Sequence, residues 1–597
     1  MKKFVLFVFL FLLFAFDTYA KELEKIDDWD DNVTVIKEEH IRHKTTQSMP
    51  MVGSMSTNIA SAPMPARAPD AMMMKSRKLG MAVGGAKDTD NFIENIKQGY
   101  IPKIDSLTYE GTFYQHYFDT GSMQECTSLF CPSYSRAVKK DIYTGEKYYY
   151  LNVGLNSGIN ASDFKRKKLN LVVVLDISGS MGSRFSQYYY DKGKKYSSES
   201  DDKSKMQIAN ESIVAMIEHL KGYDSLGVAL FDHSAYPVKP LREVKYTDME
   251  AIKKHVLAIR QRGGTNWSAG YKAGLKYFDE IEHQKGYENR IIFITDAMPN
   301  AGELSKERLF GMAKSASKRG IHTTFVGVGV DFNANLVEYV SKTKGANYYS
   351  VHSSKEFKKR MDKEFDFMVT PLVYDLELNL ASKGYKIDAV YGSPDAKLAT
   401  GTIMNINTLF PSASSDDKVK GGIVLLRLKK TGLEEDIKLS VSYSDVDGKH
   451  YSNIQKVHFD RSDLYYDNSG IRKGILLSEY VTLMKNWMID ARAGCNDKVE
   501  YMHQPPAEIM RRCMIYPPMR PVYPKIKTWE RKSCKLHVSA GYQKILSLFK
   551  RHYVSEMKAL KDKSLNIELN VLKSLVKTKT FDDSTDQIDD WQNNFGR

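Results

Sequence analysis

Between residues 169 and 370, continuous apolar runs alternate with segments whose apolar residues recur at helical spacing. The run LNLVVVLD (169–176) is typical of a central parallel strand, which is buried on both faces. Apolar residues from Met206 to Leu220 recur at steps of three and four, which predicts an amphipathic helix. Further strands are predicted at 226–232, 290–296, 322–330 and 346–351, and further helices at 247–260, 267–282, 305–319, 336–343 and 354–368. This alternation predicts a doubly wound, mostly parallel α/β sheet.

The regions that flank this unit follow other patterns. EKYYYLNVGL (146–155) predicts an isolated strand, and five period-two segments within 371–460 predict an antiparallel β-sandwich module. Because a lone strand needs a partner, we expect 146–158 to pair with strands of 371–460, which makes the α/β unit an insertion. Helical spacing returns at 471–492 and at 539–575, so the C-terminal region is predicted to be helical.

These patterns divide the chain into seven segments. They are a signal peptide (1–20), a charged N-terminal segment (21–44), a linker rich in Met, Ala, Pro and Ser (45–88), an N-terminal family segment with a strand (89–168), the α/β domain (169–370), the β-sandwich module (371–462) and a helical C-terminal region with an acidic tail (463–597).

Composition and charge exclude several classes of protein. Apolar residues make up 42% and charged residues 27% of the 597 positions, which is typical of globular chains and excludes a collagen, a coiled-coil rod and a multi-span membrane protein. The net charge of +14 is small for this length, so we expect no nucleic-acid partner. Five cysteines are too few for a disulfide-dense scaffold.

The first twenty residues have the layout of a secretory signal peptide. Lys2 and Lys3 precede an apolar run (4–16), and Thr18 and Ala20 supply small side chains before a cleavage point. A short signal anchor is the alternative. The sequence contains no other apolar stretch of 18 residues, so we expect an exported protein in the periplasm, at the cell surface or secreted, with no membrane span in the mature chain.

Export permits disulfides. Cys126 and Cys131 are close enough in sequence to form a local bridge, whereas Cys495, Cys513 and Cys534 are an odd set. The pairing among these cysteines is left open by the sequence.

A short pattern occurs near both ends of the chain. IDDWDDN (26–32) resembles IDDWQNN (588–594), and each combines an Ile and a Trp with acids and amides. Either the likeness is a coincidence of two polar tails, or it is one docking peptide used twice.

Candidate chemistry follows the predicted central strand. Asp176, Ser178 and Ser180 lie on one tight loop after that strand, at the sheet edge where doubly wound proteins bind ligands. Thr265 lies in RGGTN, whose glycines let the backbone approach closely, and Asp296 ends the strand at 290–296. Carboxylates and hydroxyls are ligands for a hard cation such as Mg²⁺, and the two aspartates would repel each other without a cation between them. The sequence therefore predicts a divalent metal site here.

These five residues, D-x-S-x-S followed by a Thr and by an Asp after a strand, resemble the metal-ion-dependent adhesion site of the von Willebrand factor type A domain family. The resemblance implies the von Willebrand A, Rossmann-like fold over about 200 residues. It also implies that Ser178, Ser180 and Thr265 coordinate the metal directly, while Asp176 and Asp296 act through water or as anchors. In this family the metal is Mg²⁺, with Mn²⁺ or Ca²⁺ as alternatives, and it leaves one position for an Asp or Glu of a protein partner.

The resemblance extends outside the domain. Residues 92–121 resemble the N-terminal segment of exported bacterial A-domain proteins labelled calcium-activated chloride channel homologues, and a β-rich region after the domain is typical both of them and of the inter-alpha-trypsin inhibitor heavy chains. No pore-forming span supports a channel function. Residues 183–204 look like an insertion beside the metal loop, either a solvated loop or a specificity element.

The predicted function is therefore a metal-dependent protein-interaction or adhesion module, exported to the cell envelope. A non-adhesive scaffold of an envelope complex and an intracellular A domain that serves an ATPase are the binding alternatives. A hydrolase is the enzymatic alternative, but no G-x-S-x-G elbow is present and nothing in the sequence places His233 or His322 beside the two serines. We expect no enzymatic activity and no catalytic residue, and the pattern identifies no partner-binding residue.

Overall fold

The computed structural model describes the following residues: 25–34, 78–121, 127–191, 203–279, 281, 286–296, 303, 305–332, 342–393, 395–397, 402–415, 418–434, 436–459, 464–493 and 533–578. The predicted signal peptide therefore lies outside the described residues, as do most of the predicted linker, the helix predicted at 336–343 and the acidic tail.

Eleven α-helices are described, and we number them in chain order. They are Asp31–Thr34 (α1), Asp90–Lys97 (α2), Tyr109–Tyr114 (α3), Lys205–Ile217 (α4), Met249–Ala258 (α5), Trp267–Lys276 (α6), Lys306–Lys318 (α7), Ser354–Met368 (α8), Ser469–Ala493 (α9), Ala540–Leu560 (α10) and Asn566–Lys577 (α11).

The described strands are numbered in the same way. They are Lys78–Val83 (β1), Gly85–Ala86 (β2), Tyr117–Asp119 (β3), Cys131–Lys140 (β4), Lys147–Asn160 (β5), Lys168–Asp176 (β6), Ser225–Phe231 (β7), Ala235–Glu243 (β8), Tyr287–Thr295 (β9), Ile321–Val328 (β10), Asn347–Val351 (β11), Val373–Ala381 (β12), Tyr385–Tyr391 (β13), Asp395–Lys397 (β14), Thr402–Ser412 (β15), Ser414–Ser415 (β16), Lys418–Lys420 (β17), Ile423–Lys430 (β18), Asp436–Asp445 (β19), His450–His458 (β20) and Tyr465–Tyr466 (β21).

The predicted doubly wound sheet is confirmed. Seven strands lie in the order β2-β11-β10-β9-β6-β7-β8, parallel throughout except for the antiparallel pair β7–β8. Helices α4, α5 and α8 cover one face, and α6 and α7 cover the other, each over its own apolar core. From β6 the chain proceeds to β7 and β8 and then returns to β9 on the other side of β6, so the strand order reverses at the β6–β9 pair.

Edge strand β8 was missed by the sequence patterns. It contains Pro237 and Pro240, which interrupt the alternation of its apolar residues. Proline removes a hydrogen-bond donor and is therefore tolerated in a strand at the edge of a sheet, where one side of the backbone needs no partner strand.

The predicted pairing of 146–158 with the region after the α/β domain is confirmed. Strand β5 pairs antiparallel with β18, Tyr150 lying opposite Arg427, in an antiparallel sheet of eleven strands. Strand β12 belongs to the same sheet, so the α/β domain is inserted between two of its strands. Tyr385 on β13 and Phe459 after β20 come from opposite ends of the sheet, yet their ring centroids are 5.1 Å apart. The sheet thus folds over an internal core, as a sandwich does.

The prediction of a linker to residue 88 was wrong for its last part. Residues 78–83 form β1, which lies between β5 and β15 in the antiparallel sheet, and residues 85–86 form β2 at the edge of the parallel sheet. Met81 and Val83 are buried there. Strand β1 is short and pairs with residues that are distant in the chain. Its sequence therefore shows no alternation of apolar and polar residues that would predict a strand.

The C-terminal region is helical, as predicted. Helices α9, α10 and α11 share a core with α2 and α3 in which Trp487, Tyr553 and Leu572 are fully buried. The pattern predicted over 539–575 is divided into α10 and α11 at Lys561, which has a left-handed φ of 52°. Cys131 and Cys534 are disulfide-bonded, whereas the other three cysteines lie outside the described residues. In the part of the chain that is described, no helix is both long and apolar enough to span a bilayer.

Candidate metal site of the inserted domain

The predicted site lies where the strand order reverses. Asp176 is the last residue of β6, and Asp296 comes directly after β9, its parallel neighbour. Both side chains are fully buried. The fold therefore places the two carboxylates at adjacent carboxyl ends of strands, which is where α/β sheets bind ligands.

Hydrogen bonds fix the Asp176 carboxylate from both sides. Its Oδ1 accepts from the backbone N–H of Ser178 at 2.9 Å, and its Oδ2 accepts from the Thr295 hydroxyl at 2.7 Å. The first bond closes the loop over the carboxylate and sets the direction of the serines. Asp176 is thus an anchor of the loop, held by its own neighbours in the sheet.

The two serines and Asp296 form a chain of oxygens. Ser178 Oγ lies 3.0 Å from Ser180 Oγ, which donates to Asp296 Oδ1 at 3.2 Å. Two oxygens on adjacent positions of an octahedral Mg²⁺ ion, each at about 2.1 Å, lie about 3 Å apart. The spacing and the all-oxygen chemistry of these donors therefore fit a small hard cation.

The loop of Thr265 packs against the serine loop. The backbone N–H of Gly179 donates to the carbonyl of Gly263 at 3.0 Å, and that of Arg262 donates to the carbonyl of Ile177. Gly263 has a φ of 71°, which lets its chain make this approach, and Thr265 is buried behind it. Hydrogen bonds and the electrostatic interaction between Asp176 and Asp296 thus connect four of the five predicted residues. The fifth, Thr265, lies on the adjoining loop.

Sequence patterns missed two further charged residues at this site. Lys205, the first residue of α4, contacts Asp296 Oδ2 at 3.1 Å and Asp331 Oδ1 at 2.5 Å, and all three side chains are buried. Asp331 also accepts from the backbone N–H of Tyr189. The sequence gives little indication of this role. A lysine at the start of a helix and an aspartate after a strand are usually exposed residues at the protein surface.

The two aspartates repel each other inside the protein. Burial and the charge of Asp296 raise the pKa of Asp176 to about 7. Burial also raises the pKa of Asp296, although the ammonium of Lys205 opposes this shift. The charged forms of both carboxylates are therefore destabilised at this site.

Carboxylates and imidazoles alone do not explain this site. Within the described residues, no three His, Cys, Asp or Glu side chains form a group that could hold a metal ion. The candidate donor set combines the serine and threonine hydroxyls with the carboxylates.

The two histidines considered for a hydrolase make their contacts with carboxylates. His322 begins its strand at the opposite end of the sheet, where Nδ1 is 2.8 Å from Glu288. His233 is exposed next to Asp232, with 3.2 Å between Nδ1 and Oδ1. The hydroxyls of Ser178 and Ser180 instead contact each other and Asp296, which is unlike a nucleophile and its base.

The segment 183–204 is anchored at its described ends. Phe185 enters a core of the α/β domain, and the Tyr188 hydroxyl donates to Asn95 at 2.8 Å. Ser204 caps α4 through a capping box with Gln207. The first residues of segment 183–204 therefore pack against the domain and are not a solvated loop. Residues 192–202 lie outside the described residues.

Comparison with known families gives a match for the inserted α/β domain. Residues 170–363 match the von Willebrand factor type A domain family. The inserted α/β domain is therefore a von Willebrand factor type A domain, a class that commonly acts as a metal-dependent protein-interaction module. The match does not reach residues 92–121, so the resemblance of that flank to the chloride channel homologues stays a prediction.

Two similar proteins each match about a third of this chain. An uncharacterized protein of Synechocystis sp. is 27% identical over 195 residues, 32% of this chain and 40% of that protein. Inter-alpha-trypsin inhibitor heavy chain H2 of Mus musculus is 20% identical over 216 residues, 35% of this chain and 21% of that protein. The match thus spans less than half the length of either relative.

Among solved structures, a von Willebrand factor type A protein from Catenulispora acidiphila is similar. It is 14% identical, with a TM-score of 0.38, and the likeness covers 63% of this chain and 84% of that one.

Proposed function

We propose that this protein is a metal-dependent protein-interaction module whose A domain binds a partner carboxylate through a divalent cation. The observation that carries the proposal is the row of buried oxygens from Ser178 to Asp296 at the point where the strand order reverses. Ser178, Ser180 and Thr265 would hold Mg²⁺, with Mn²⁺ or Ca²⁺ as alternatives, while Asp176 and Asp296 anchor the site.

The charged side chains of the site determine the electrostatic environment that a partner carboxylate would encounter. Lys205 contacts Asp296 and Asp331, and the carboxylate of Asp176 is buried at the same site, so three acidic side chains share the site with one ammonium and a divalent ion would balance their charge. When bound, the cation would supply a coordination position for an oxygen of the partner's Asp or Glu. Because the serine and threonine ligands are neutral, they leave that position electrophilic.

Binding is favoured over catalysis by the contacts of the two serines. Their hydroxyls are directed to each other and to Asp296, and a nucleophile would need a base within hydrogen-bond reach. A scaffold of an envelope complex would use the same site toward a partner of the same cell.

We also propose that the protein is exported. The basic residues, apolar run and small residues of positions 1–20 support this, with cleavage after Ala20. N-terminal sequencing of the protein from a fractionated native host tests it. The expected first residue is Lys21, in the exported fraction, whereas an intact Met1 in the cytoplasm would contradict export.

Cation binding is tested by calorimetric titration of the metal-stripped full chain with Mg²⁺, Mn²⁺ and Ca²⁺. We expect one site per chain. Unfolding measured at an ion concentration about 100 times the dissociation constant should show roughly 2.7 kcal/mol of added stability over EDTA. No heat of binding together with an unchanged melting temperature for all three ions would contradict the proposal.

A further inference from the structure

The N-terminal segment lies in a groove on the A domain, far along the chain from its own position. The groove is formed by β8, residues 246–248 and α5, and we call it the β8–α5 groove. The backbone N–H of Ile26 donates to the carbonyl of Tyr246 at 3.0 Å, and the carbonyl of Ile26 accepts from the N–H of Asp248 at 2.9 Å. The N–H of Asp30 donates to the carbonyl of Val238 at 2.8 Å. The segment therefore covers the edge strand of the sheet through its main chain.

Apolar contact adds to these bonds. The Trp29 side chain belongs to the same buried cluster as Val238, Ile252 and Val256, and it retains only 8% of its exposure. Its ring stacks on His255 with 5.4 Å between centroids and 2° between planes. A large aromatic side chain enclosed in this way is the usual anchor of a peptide in a groove.

The acidic residues of the segment meet basic groups of the groove. Asp28 contacts the buried ammonium of Lys239 at 3.2 Å and the guanidinium of Arg242 at 2.9 Å. Asp27 and Asp31 contact the two ring nitrogens of His255, at 2.9 and 3.2 Å. Recognition thus depends on an Ile, an Asp pair and a Trp in consecutive positions, which is the form of a short linear motif.

The same four residues recur at the other end of the chain. Ile588, Asp589, Asp590 and Trp591 repeat Ile26 to Trp29 in identical order. They belong to the segment 579–597, which follows the last described residue and contains five aspartates against one Lys and one Arg. We propose that the β8–α5 groove is a second binding site of this protein, and that its other occupant is the C-terminal heptapeptide 588–594.

Charge and chain length support this occupant. The acidic tail is complementary to Lys239 and Arg242, and the ten residue-to-residue steps from Thr578 to Ile588 span about 33–36 Å when extended. The two heptapeptides compete for one groove, so binding of one releases the other. Asn593 aligns with Asp31, which contacts His255, so the C-terminal peptide binds more weakly, by up to about fivefold.

The test uses the full chain with Trp29→Ala and Trp591→Ala, which disables both internal ligands. Fluorescently labelled peptides of residues 24–34 and 586–596 are titrated against it, each beside a control peptide with its Trp replaced by Ala. A second receptor, Asp27→Asn/Asp28→Asn/Trp591→Ala, keeps the Trp29 side chain in case its loss unfolds the chain. Circular dichroism confirms that the receptors are folded.

We expect both peptides to bind, to displace each other, and to weaken at least about tenfold when their Trp is replaced. Arg242→Ala in the receptor should weaken both, whereas Arg308→Ala, at an exposed arginine of the same domain, should weaken neither. Binding should persist in EDTA, which separates this site from the cation site. Absence of C-terminal peptide binding, or binding that the N-terminal peptide does not displace, would overturn the proposal.

Discussion

The ammonium of Lys205 lies 3.1 Å from Oδ2 of Asp296, and both side chains are fully buried. Lys205 also contacts Asp331, so one cation that belongs to the chain stands between two carboxylates at the candidate metal site. A buried carboxylate without a partner costs several kcal/mol. The lysine thus stabilises these two carboxylates without a metal, and in the proposed function a divalent ion would neutralise Asp176.

Replacing Lys205 by Met should make the fold depend on the ion. Without the ammonium, Asp296 and Asp331 stay buried and unpaired, so we expect a loss of about 3–5 kcal/mol in EDTA. Saturating Mg²⁺ should restore more stability to this variant than to the wild type. Chemical unfolding in EDTA and in Mg²⁺ measures both, and equal stability of the variant and wild type in EDTA would contradict this role for Lys205.

Asp176→Asn should abolish cation binding and preserve the fold. The amide keeps the side-chain size within the buried site, but it removes one of the negative charges that favour a divalent ion. Calorimetric titration with Mg²⁺ checks the loss, and circular dichroism checks the fold. Asp279→Asn, at a half-exposed carboxylate paired with Arg319, is the matched control and should bind Mg²⁺ like the wild type. Unchanged affinity of Asp176→Asn would show that the ion binds elsewhere.

Gly263→Ala should weaken cation binding through the backbone. Gly263 has a φ of 71°, and an added Cβ would lie 3.0 Å from Asp232 and His233. Gly145 has the same φ with open space around it, so Gly145→Ala reports the conformational cost alone, about 1–2 kcal/mol. Gly263→Ala should cost more in chemical unfolding and raise the Mg²⁺ dissociation constant, which Gly145→Ala should leave unchanged. Equal losses in the two variants would mean that crowding near Thr265 is unimportant.

Lys87 should give the protein a stability that rises with pH. Its ammonium lies 4.5 Å from the centroid of the Tyr114 ring and donates to Val83 O at 2.6 Å, and burial lowers its pKa to about 7. A lysine of the unfolded chain titrates near pH 10.4, so between these values the unfolded chain binds the extra proton and stability increases with pH.

Lys87→Met should remove this increase, roughly 2 kcal/mol between pH 7 and pH 9. The change in slope is the readout, because loss of the bond to Val83 costs stability at every pH. Unfolding of both proteins at a series of pH values measures it, and parallel curves would contradict the lowered pKa.

The sequence predicted most of the α/β fold, because continuous apolar runs such as 169–176 are typical of strands that are buried on both faces. It missed β8, where two prolines hide the pattern, and it assigned β1 to a linker, because that strand is stabilised by residues more than 70 positions away. Strand order and long-range pairing depend on tertiary contacts, so the local pattern of apolar residues does not predict them.

The five candidate site residues could be predicted because three of them share one short loop and all five match the pattern of a known family. Lys205 and Asp331 could not, since their burial depends on how α4 and the loop after β10 meet. The stacking of Trp29 on His255 could not be predicted either. The sequence of an acidic segment does not show which distant surface it contacts.

The central claim is that a bound cation accepts a carboxylate from a partner, and Mn²⁺-enhanced water relaxation tests it most directly. Exchangeable waters on Mn²⁺ bound to the full chain raise the relaxation rate of bulk water, and acetate is titrated in, with acetamide as the uncharged control. We predict that acetate lowers the relaxation enhancement at saturation while acetamide leaves it unchanged, and that Thr265→Ala requires more Mn²⁺ for the same signal. An enhancement unaffected by acetate, with Mn²⁺ still bound, would contradict the claim.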